Sequence, residues 1–175
     1  MEQTNNPTFR RLVTGIGPDG KSYLADDSRI AAGTLGNFNF WMMRRGDSQG
    51  GIETKPQAIP FYPKDGAVIF RIFRLPPSDP NLPAATWNVI ASEFFASVGD
   101  PSSRADTSRH PLMHTTPTVD YIMLLDGRVS LLLDTGDPIP MQQYDVVVQR
   151  ATNHTWVNTG SSPATLMAVM IGQKP

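Results

Sequence analysis

The sequence predicts an all-β barrel. Short runs of branched and aromatic residues recur through the second half, separated by Asp and Gly turns. The 14 glycines and 16 prolines punctuate the chain and leave room for one or two short helices at most. There is no cysteine, so packing and not disulfides or thiolate metal sites must hold the fold. Closure into a barrel removes exposed strand edges. A barrel of about eight strands encloses roughly one small ligand.

The elements follow in order. Residues 1–8 are a polar tail. Arg10–Gly15 and Ser22–Asp26 flank Pro18-Asp19-Gly20-Lys21, a turn sequence, and predict a hairpin. Phe38–Met43 is strand-like and aromatic. Residues 45–66 are rich in Gly, Pro and polar residues and predict a loop. Ala67–Leu75 suits a pleated surface, and Pro76-Pro77 ends it. Residues 86–98 carry Val89, Ile90, Phe94, Phe95 and Val98 at helical spacing. Residues 99–112 are loop. Strands are then predicted over Val119–Leu125, Val129–Leu133, Val146–Gln149, Thr155–Asn158 and Thr165–Ile171, with turns at Asp126-Gly127 and Asp134–Gly136.

The length of 175 residues suits one domain. The formal net charge is −1, and no basic run exceeds the pairs Arg10-Arg11 and Arg44-Arg45, so no nucleic-acid partner is expected. No apolar run approaches the ~18 residues of a membrane helix, so no membrane partner is expected. Met1–Thr8 lacks the apolar core of a signal peptide, and a cytoplasmic location is expected.

All three histidines lie between residues 110 and 154. Histidine is the side chain best suited to proton transfer near neutral pH and the commonest metal ligand. If residues 113–121 are extended, His114, Thr116, Thr118 and Asp120 share one polar face. Turned into a barrel, that face lines a pocket; turned outward, it is solvated surface. Periodicity leaves both open. In the second cluster His154, Trp156 and Asn158 alternate onto one face, combining polar anchors with an aromatic wall. Tyr121 falls on the opposite face from Asp120 and is expected to pack. His110 is expected to be a solvated loop residue. Arg71 and Arg74 fall on opposite faces of their strand. A surface role is expected for them, with capture of a substrate carboxylate by one of them as the alternative. Phe38, Phe40, Trp41, Met42 and Met43 are expected in the core or a dimer contact.

The stretch from His114 to Val129, His-Thr-Thr-Pro-Thr-Val-Asp-Tyr-Ile-Met-Leu-Leu-Asp-Gly-Arg-Val, resembles the first motif of the cupin superfamily. The stretch from Tyr144 to Asn158, ending in His-x-x-x-Asn, resembles the second. The resemblance covers about a third of the chain and is to a small, single-domain cupin. It implies a jelly-roll barrel over 67–172. It also implies N-terminal strands within 1–30 that such proteins add and exchange in a homodimer.

The departures matter as much. The family's metal set takes two histidines and an acid from the first motif and one histidine from the second. Here His114, Asp120 and His154 match, but Thr116 stands where the second histidine belongs. Two glycines of the second motif are replaced by Tyr144 and Ala151. A straight strand would hold His114 and Asp120 ~20 Å apart at ~3.3 Å per residue. They can share an ion only if the chain bends, and Pro117 is the candidate bend.

The reading is therefore a small-molecule enzyme of cupin type. His114, Asp120 and His154 would be its catalytic acid–base residues, and Thr116, Thr118, Trp156 and Asn158 would bind substrate. Isomerisation, cyclisation, dehydration or decarboxylation of an oxygenated or aromatic metabolite is expected. One alternative is a dioxygenase holding a divalent metal (Fe, Mn, Ni or Zn) on His114, Asp120 and His154. Another is a non-catalytic small-ligand-binding cupin.

Overall fold

The computed structural model describes residues 7–33, 36–47, 59–104 and 106–173. The first six residues of the polar tail and residues 48–58 of the expected 45–66 loop lie outside that set.

Among the described residues the fold has ten strands, one α-helix and a short 3₁₀ turn at Pro101–Ser103. β1 (Thr8–Ile16) and β2 (Ser22–Ala31) form the expected hairpin. β3 (Asn37–Met43) and β4 (Val68–Leu75) follow, then α1 (Ala84–Ser97). The second half carries β5 (Thr118–Asp126), β6 (Val129–Leu133), β7 (Ile139–Met141), β8 (Val146–Arg150), β9 (His154–Asn158) and β10 (Ala164–Gly172). Two sheets build the barrel: five strands in the order β3-β4-β10-β5-β8, and three in the order β7-β6-β9. All pairings are antiparallel.

Two elements differ from expectation. β7 has no counterpart in the sequence reading, because its three residues include Pro140 and show no period. The helix starts two residues early, directly after Pro83, and ends at Ser97, with Val98 as its C-cap and Gly99 beyond it. Gly99 takes left-handed geometry with φ of +72°, which a helix-ending glycine adopts without penalty. Its N–H reaches Ala96 O and that of Asp100 reaches Phe95 O, the paired bonds that close a helix end.

The main core lies between the two sheets. Ile69 of β4, Ile122 and Leu124 of β5, and Leu166, Ala168 and Met170 of β10 face Val129 and Met141 across it. The outer face of the five-stranded sheet has a second apolar cluster. Phe38, Phe40 and Ile72 are buried there under Phe9 and Ile30 of the hairpin. Phe9 meets Phe38 edge-on at 4.8 Å, and Phe40 stacks on Phe70 at 5.1 Å. The core role expected for Phe38 and Phe40 is thus realised beneath the hairpin of the same chain.

Gly127 is required where β5 turns into β6. Its φ is +98°, and a Cβ there would lie 2.7 Å from Ala164.

Candidate functional site

β5 alternates in burial from Thr118 onward, with Thr118, Asp120, Ile122 and Leu124 inside and Tyr121 outside. The polar face of the first motif therefore points into the barrel. Regular pairing begins only at Thr118. Before it, the Thr118 N–H bonds to Thr116 O at 2.8 Å, a three-residue turn centred on Pro117. The expected bend is present, and it carries His114 across to the other sheet. There His114 and His154 exchange two backbone hydrogen bonds of 3.0 Å.

The two imidazoles are neighbours, with ring centroids 4.6 Å apart. His114 Nδ1 lies 2.9 Å from Leu112 O, and His154 Nδ1 lies 3.0 Å from Thr152 O. A carbonyl oxygen only accepts, so each Nδ1 carries the proton. Each neutral ring then presents Nε2 as a bare lone pair. Aromatic rings surround the pair: Phe61 and Phe95 lie 5.7 and 5.5 Å from His114, and Trp156 lies 5.6 Å from His154. Burial disfavours the imidazolium. It lowers the pKa of His114, and it pushes that of His154 down to about 3 with a further contribution from His114.

These groups border a cavity of about 340 Å³. Its walls are mainly apolar: Trp87, Ile90, Phe94 and Phe95 of α1, Phe61, and Trp156 of β9. Its polar groups include His114, His154, Thr116, Asp120 and Arg71, with Arg74, Thr155 and Asn158 also on its border. A largely apolar cavity with a few polar anchors is the usual build of a small-molecule site.

Asp120 is 2% exposed. Burial raises its pKa to about 6, against the opposing pull of the Thr118 hydroxyl and the Arg71 charge. Its Oδ1 is buried without a hydrogen-bond partner among the described residues.

The expected substrate-binding residues divide. Trp156 and Thr116 border the cavity. Thr118 does not: it is fully buried, and its hydroxyl lies 2.8 Å from that of Thr116 and supports Asp120. Asn158 borders the cavity, but its amide is already spent. Nδ2 donates to Leu75 O and Ser162 O at 2.9 Å, and Oδ1 accepts from the Gly160 N–H at 2.8 Å. Asn158 fastens the end of β9, and the substrate-anchor reading of Thr118 and Asn158 gives way to a structural one.

Arg71 takes the alternative place the sequence left to it, at the cavity, and Arg74 borders the cavity as well. The surface role expected of it is overturned, since it is 4% exposed and sits on the cavity floor. β4 is buried on both faces, so its period could not tell which side is the interior. His110 borders no part of the cavity. It packs on Trp87 at 5.2 Å, and its Nδ1 accepts the Leu112 N–H.

The donor chemistry of the two histidines suits a metal, with each Nδ1–H held by a backbone carbonyl and Nε2 free. The third ligand fails. Among the described residues, no three His, Cys, Asp or Glu side chains gather closely enough to hold an ion. His114 bridges to β9, whereas Asp120 lies beyond the bend, paired in the other sheet with Met170 and Gln149. The expected set of His114, Asp120 and His154 does not fit a metal centre.

Tyr144 and Ala151, the two residues standing at glycine positions of the second motif, both have left-handed backbones, with φ of +73° and +51°. The conformations that glycine would supply are kept without it.

Comparison with known proteins bears on family. No protein-family model matches the chain. The chain is 42% identical over 65 residues to the cupin-domain-containing oxidoreductase srdD of Neurospora crassa, covering 35% of this chain and 33% of that protein. It is 39% identical over 66 residues to the cupin-domain-containing oxidoreductase virC of Hypocrea virens, covering 36% and 34%. Over about a third of its length the chain is similar to cupin-domain proteins. The chain is also 49% identical over 47 residues to the phomopsin biosynthesis cluster protein C' of Diaporthe leptostromiformis, covering 27% and 25%. These matches span only a quarter to a third of the relatives' own length. Likeness to solved structures is looser. An RmlC-like cupin with a double-stranded β-helix fold from Methanocaldococcus jannaschii aligns with a TM-score of 0.41 and 12% identity, over 72% of this chain and 94% of that one. The chain's own strand order is what defines the barrel. Among the described residues no helix is long and apolar enough to cross a membrane.

Proposed function

We propose that this protein is a small-molecule enzyme of cupin type working by acid–base chemistry in its barrel cavity. Isomerisation, cyclisation, dehydration or decarboxylation of an oxygenated or aromatic metabolite fits. One observation carries the reading. Two neutral imidazoles with bare Nε2 atoms border the same cavity as a carboxyl group whose pKa is raised to about 6. Acid and base roles are set by environments that move pKa values in this way. His114 Nε2 takes a proton from the substrate, and Asp120 in its protonated form returns one. His154, harder to protonate, stays neutral and orients the substrate through its own Nε2. The aromatic walls keep water away from the transfer. Relatives named for the phomopsin and oryzines biosynthesis clusters support a place in small-molecule biosynthesis.

A second reading has support of its own, since three relatives are named oxidoreductases. It is a metal-dependent dioxygenase with His114 and His154 as two of the ligands. Screening aromatic and polyketide-like acids separates the two. The acid–base reading expects rearrangement without change of mass, or loss of water or carbon dioxide. That turnover is abolished by His114→Ala and unchanged by a chelator. Stoichiometric metal with oxygen uptake would establish the second reading instead. Binding with no turnover of any compound would leave a ligand-binding cupin.

A homodimer is part of the same proposal. The hairpin leaves Leu12, Ile16, Tyr23 and Leu24 exposed. Removing residues 1–30 is expected to yield monomers by light scattering, and an unchanged dimer would contradict this.

A further inference from the structure

Arg71 is a buried cation with no ion pair among the described residues. Its Nη1 donates to Phe61 O and its Nη2 to Pro60 O, both at 3.0 Å. Its Nε is buried and unpartnered among the described residues. Burial lowers its pKa to about 10, which leaves it charged at neutral pH, and the nearby Asp120 favours that charge. Asp120 lies close enough to be felt yet does not close a salt bridge, and its own Oδ1 is unpartnered too. A buried charge without a partner is costly, and a cavity that keeps one is built for something that completes it.

The register shows where the partner would lie. Arg71, Ala168 and Ile122 form one row across β4, β10 and β5, with Asp120 in the next row beside Met170. Ala168 contributes only a methyl group, and it borders the same cavity as Arg71 and Trp156. The two Nη bonds to adjacent carbonyls occupy one end of the guanidinium. The Nε side remains, and that edge matches a planar carboxylate. Asp120 stands next to it, so a doubly charged phosphate would meet repulsion where a monoanion meets less.

We propose that the cavity takes a small monocarboxylic acid with an aromatic or unsaturated body, its carboxylate received by Arg71 and its body lying along Trp156 towards the histidine pair. The proposal rests on the reading of this cavity as a ligand site and names the class of ligand. It does not depend on turnover.

The test is binding of trans-cinnamate and of cinnamyl alcohol, which share a body and differ in charge. Trp87 and Trp156 border the cavity, so their fluorescence reports occupancy. Isothermal titration gives a second measure. Cinnamate is expected to bind the wild type at least about tenfold more tightly than the alcohol. In Arg71→Gln that preference is lost, by about 10- to 100-fold, the usual worth of hydrogen bonds to a charged group. The alcohol changes less than about threefold. Arg71 also props the Pro60-Phe61 backbone, so a second variant guards against loss of fold: Asp120→Asn keeps Arg71 intact and removes the competing charge. At pH 7.5 it is expected to tighten cinnamate by about fivefold or more and leave the alcohol unchanged. Equal binding of acid and alcohol to the wild type, binding of neither, or an unchanged preference in Asp120→Asn would overturn the proposal. Tight cinnamate binding with no turnover of any acid would sink the acid–base reading alone. Turnover confined to neutral compounds would sink this one alone.

Discussion

Strand β4 shows the two faces of the five-stranded sheet side by side. Phe70 and Ile72 point outward into a cluster with Phe38 and Phe40 that the hairpin covers. Arg71, between them, points inward onto the cavity floor. The outer face is apolar, built on ring contacts such as the 5.1 Å stack of Phe40 on Phe70. The inner face keeps two polar atoms, Arg71 Nε and Asp120 Oδ1, buried without partners among the described residues. One face is spent on stability, and the other holds polar groups at a cost that ligand chemistry would offset. Changes on the outer face should therefore move stability, and changes on the inner face should move activity and its pH dependence.

The largest effect is expected on the inner face. His114→Ala should lower turnover by about 10²- to 10⁴-fold, the usual contribution of a positioned base. Its thermal midpoint should move little, which kinetics and a melt together would check. A comparable loss on Phe38→Ala, with the fold intact, would break the division between faces.

Next comes the outer face. Phe38 is 1% exposed, and Phe38→Ala should cost about 3–5 kcal/mol by denaturant unfolding. Cinnamate affinity should stay unchanged in the folded protein.

The third effect is a pH dependence of stability. The folded-state pKa of Asp120 is raised, to about 6. The unfolded chain then gives up that proton more readily, so ionisation favours unfolding. Asp120 costs little below pH 4, and its cost grows as pH rises from about 4 to 6. Asp120→Asn removes this, so its gain in melting temperature over the wild type should be larger at pH 7.5 than at pH 4. His154 acts in the opposite direction. Its pKa is depressed to about 3, so it weakens the fold as pH falls from its ordinary value of 6.5. An equal gain for Asp120→Asn at both pH values would show that Asp120 is not buried as described.

The smallest effect lies away from both faces. Ala151→Gly and Tyr144→Gly should each stabilise by roughly 0.5–1 kcal/mol, because a left-handed backbone costs a non-glycine residue about 1–2 kcal/mol and glycine's greater unfolded freedom takes part of that back.

Much of the second half was legible in the sequence because its alternation has period two and its turns are Gly and Asp. That Thr118 and Asp120 share one face with Tyr121 on the other, and the bend at Pro117, follow from local pattern, whereas the inward turn of that face does not. Other features depend on distant contacts. β4 is apolar to either side of Arg71, so nothing local says which face is the interior. Thr118 and Asn158 look like anchors in the sequence, and only their partners, Thr116, Leu75 and Ser162, reveal them as structural. The aromatic wall from Phe61 and α1 is assembled across the chain, from segments whose pattern shows only a loop and a helix. Thr116 and Asp120 at the expected ligand positions do signal a weakened metal set, and the bend that separates Asp120 from the histidines completes that picture.

The central claim is that His114 and His154 are neutral bases with Nε2 exposed to the cavity. Nitrogen-15 NMR of the imidazoles across pH tests it directly. Both rings are expected to remain in the neutral form with the proton on Nδ1 as pH falls through 6.5, with His154 the last to titrate. Protonation of both rings near pH 6.5, or a proton resident on either Nε2, would contradict the account.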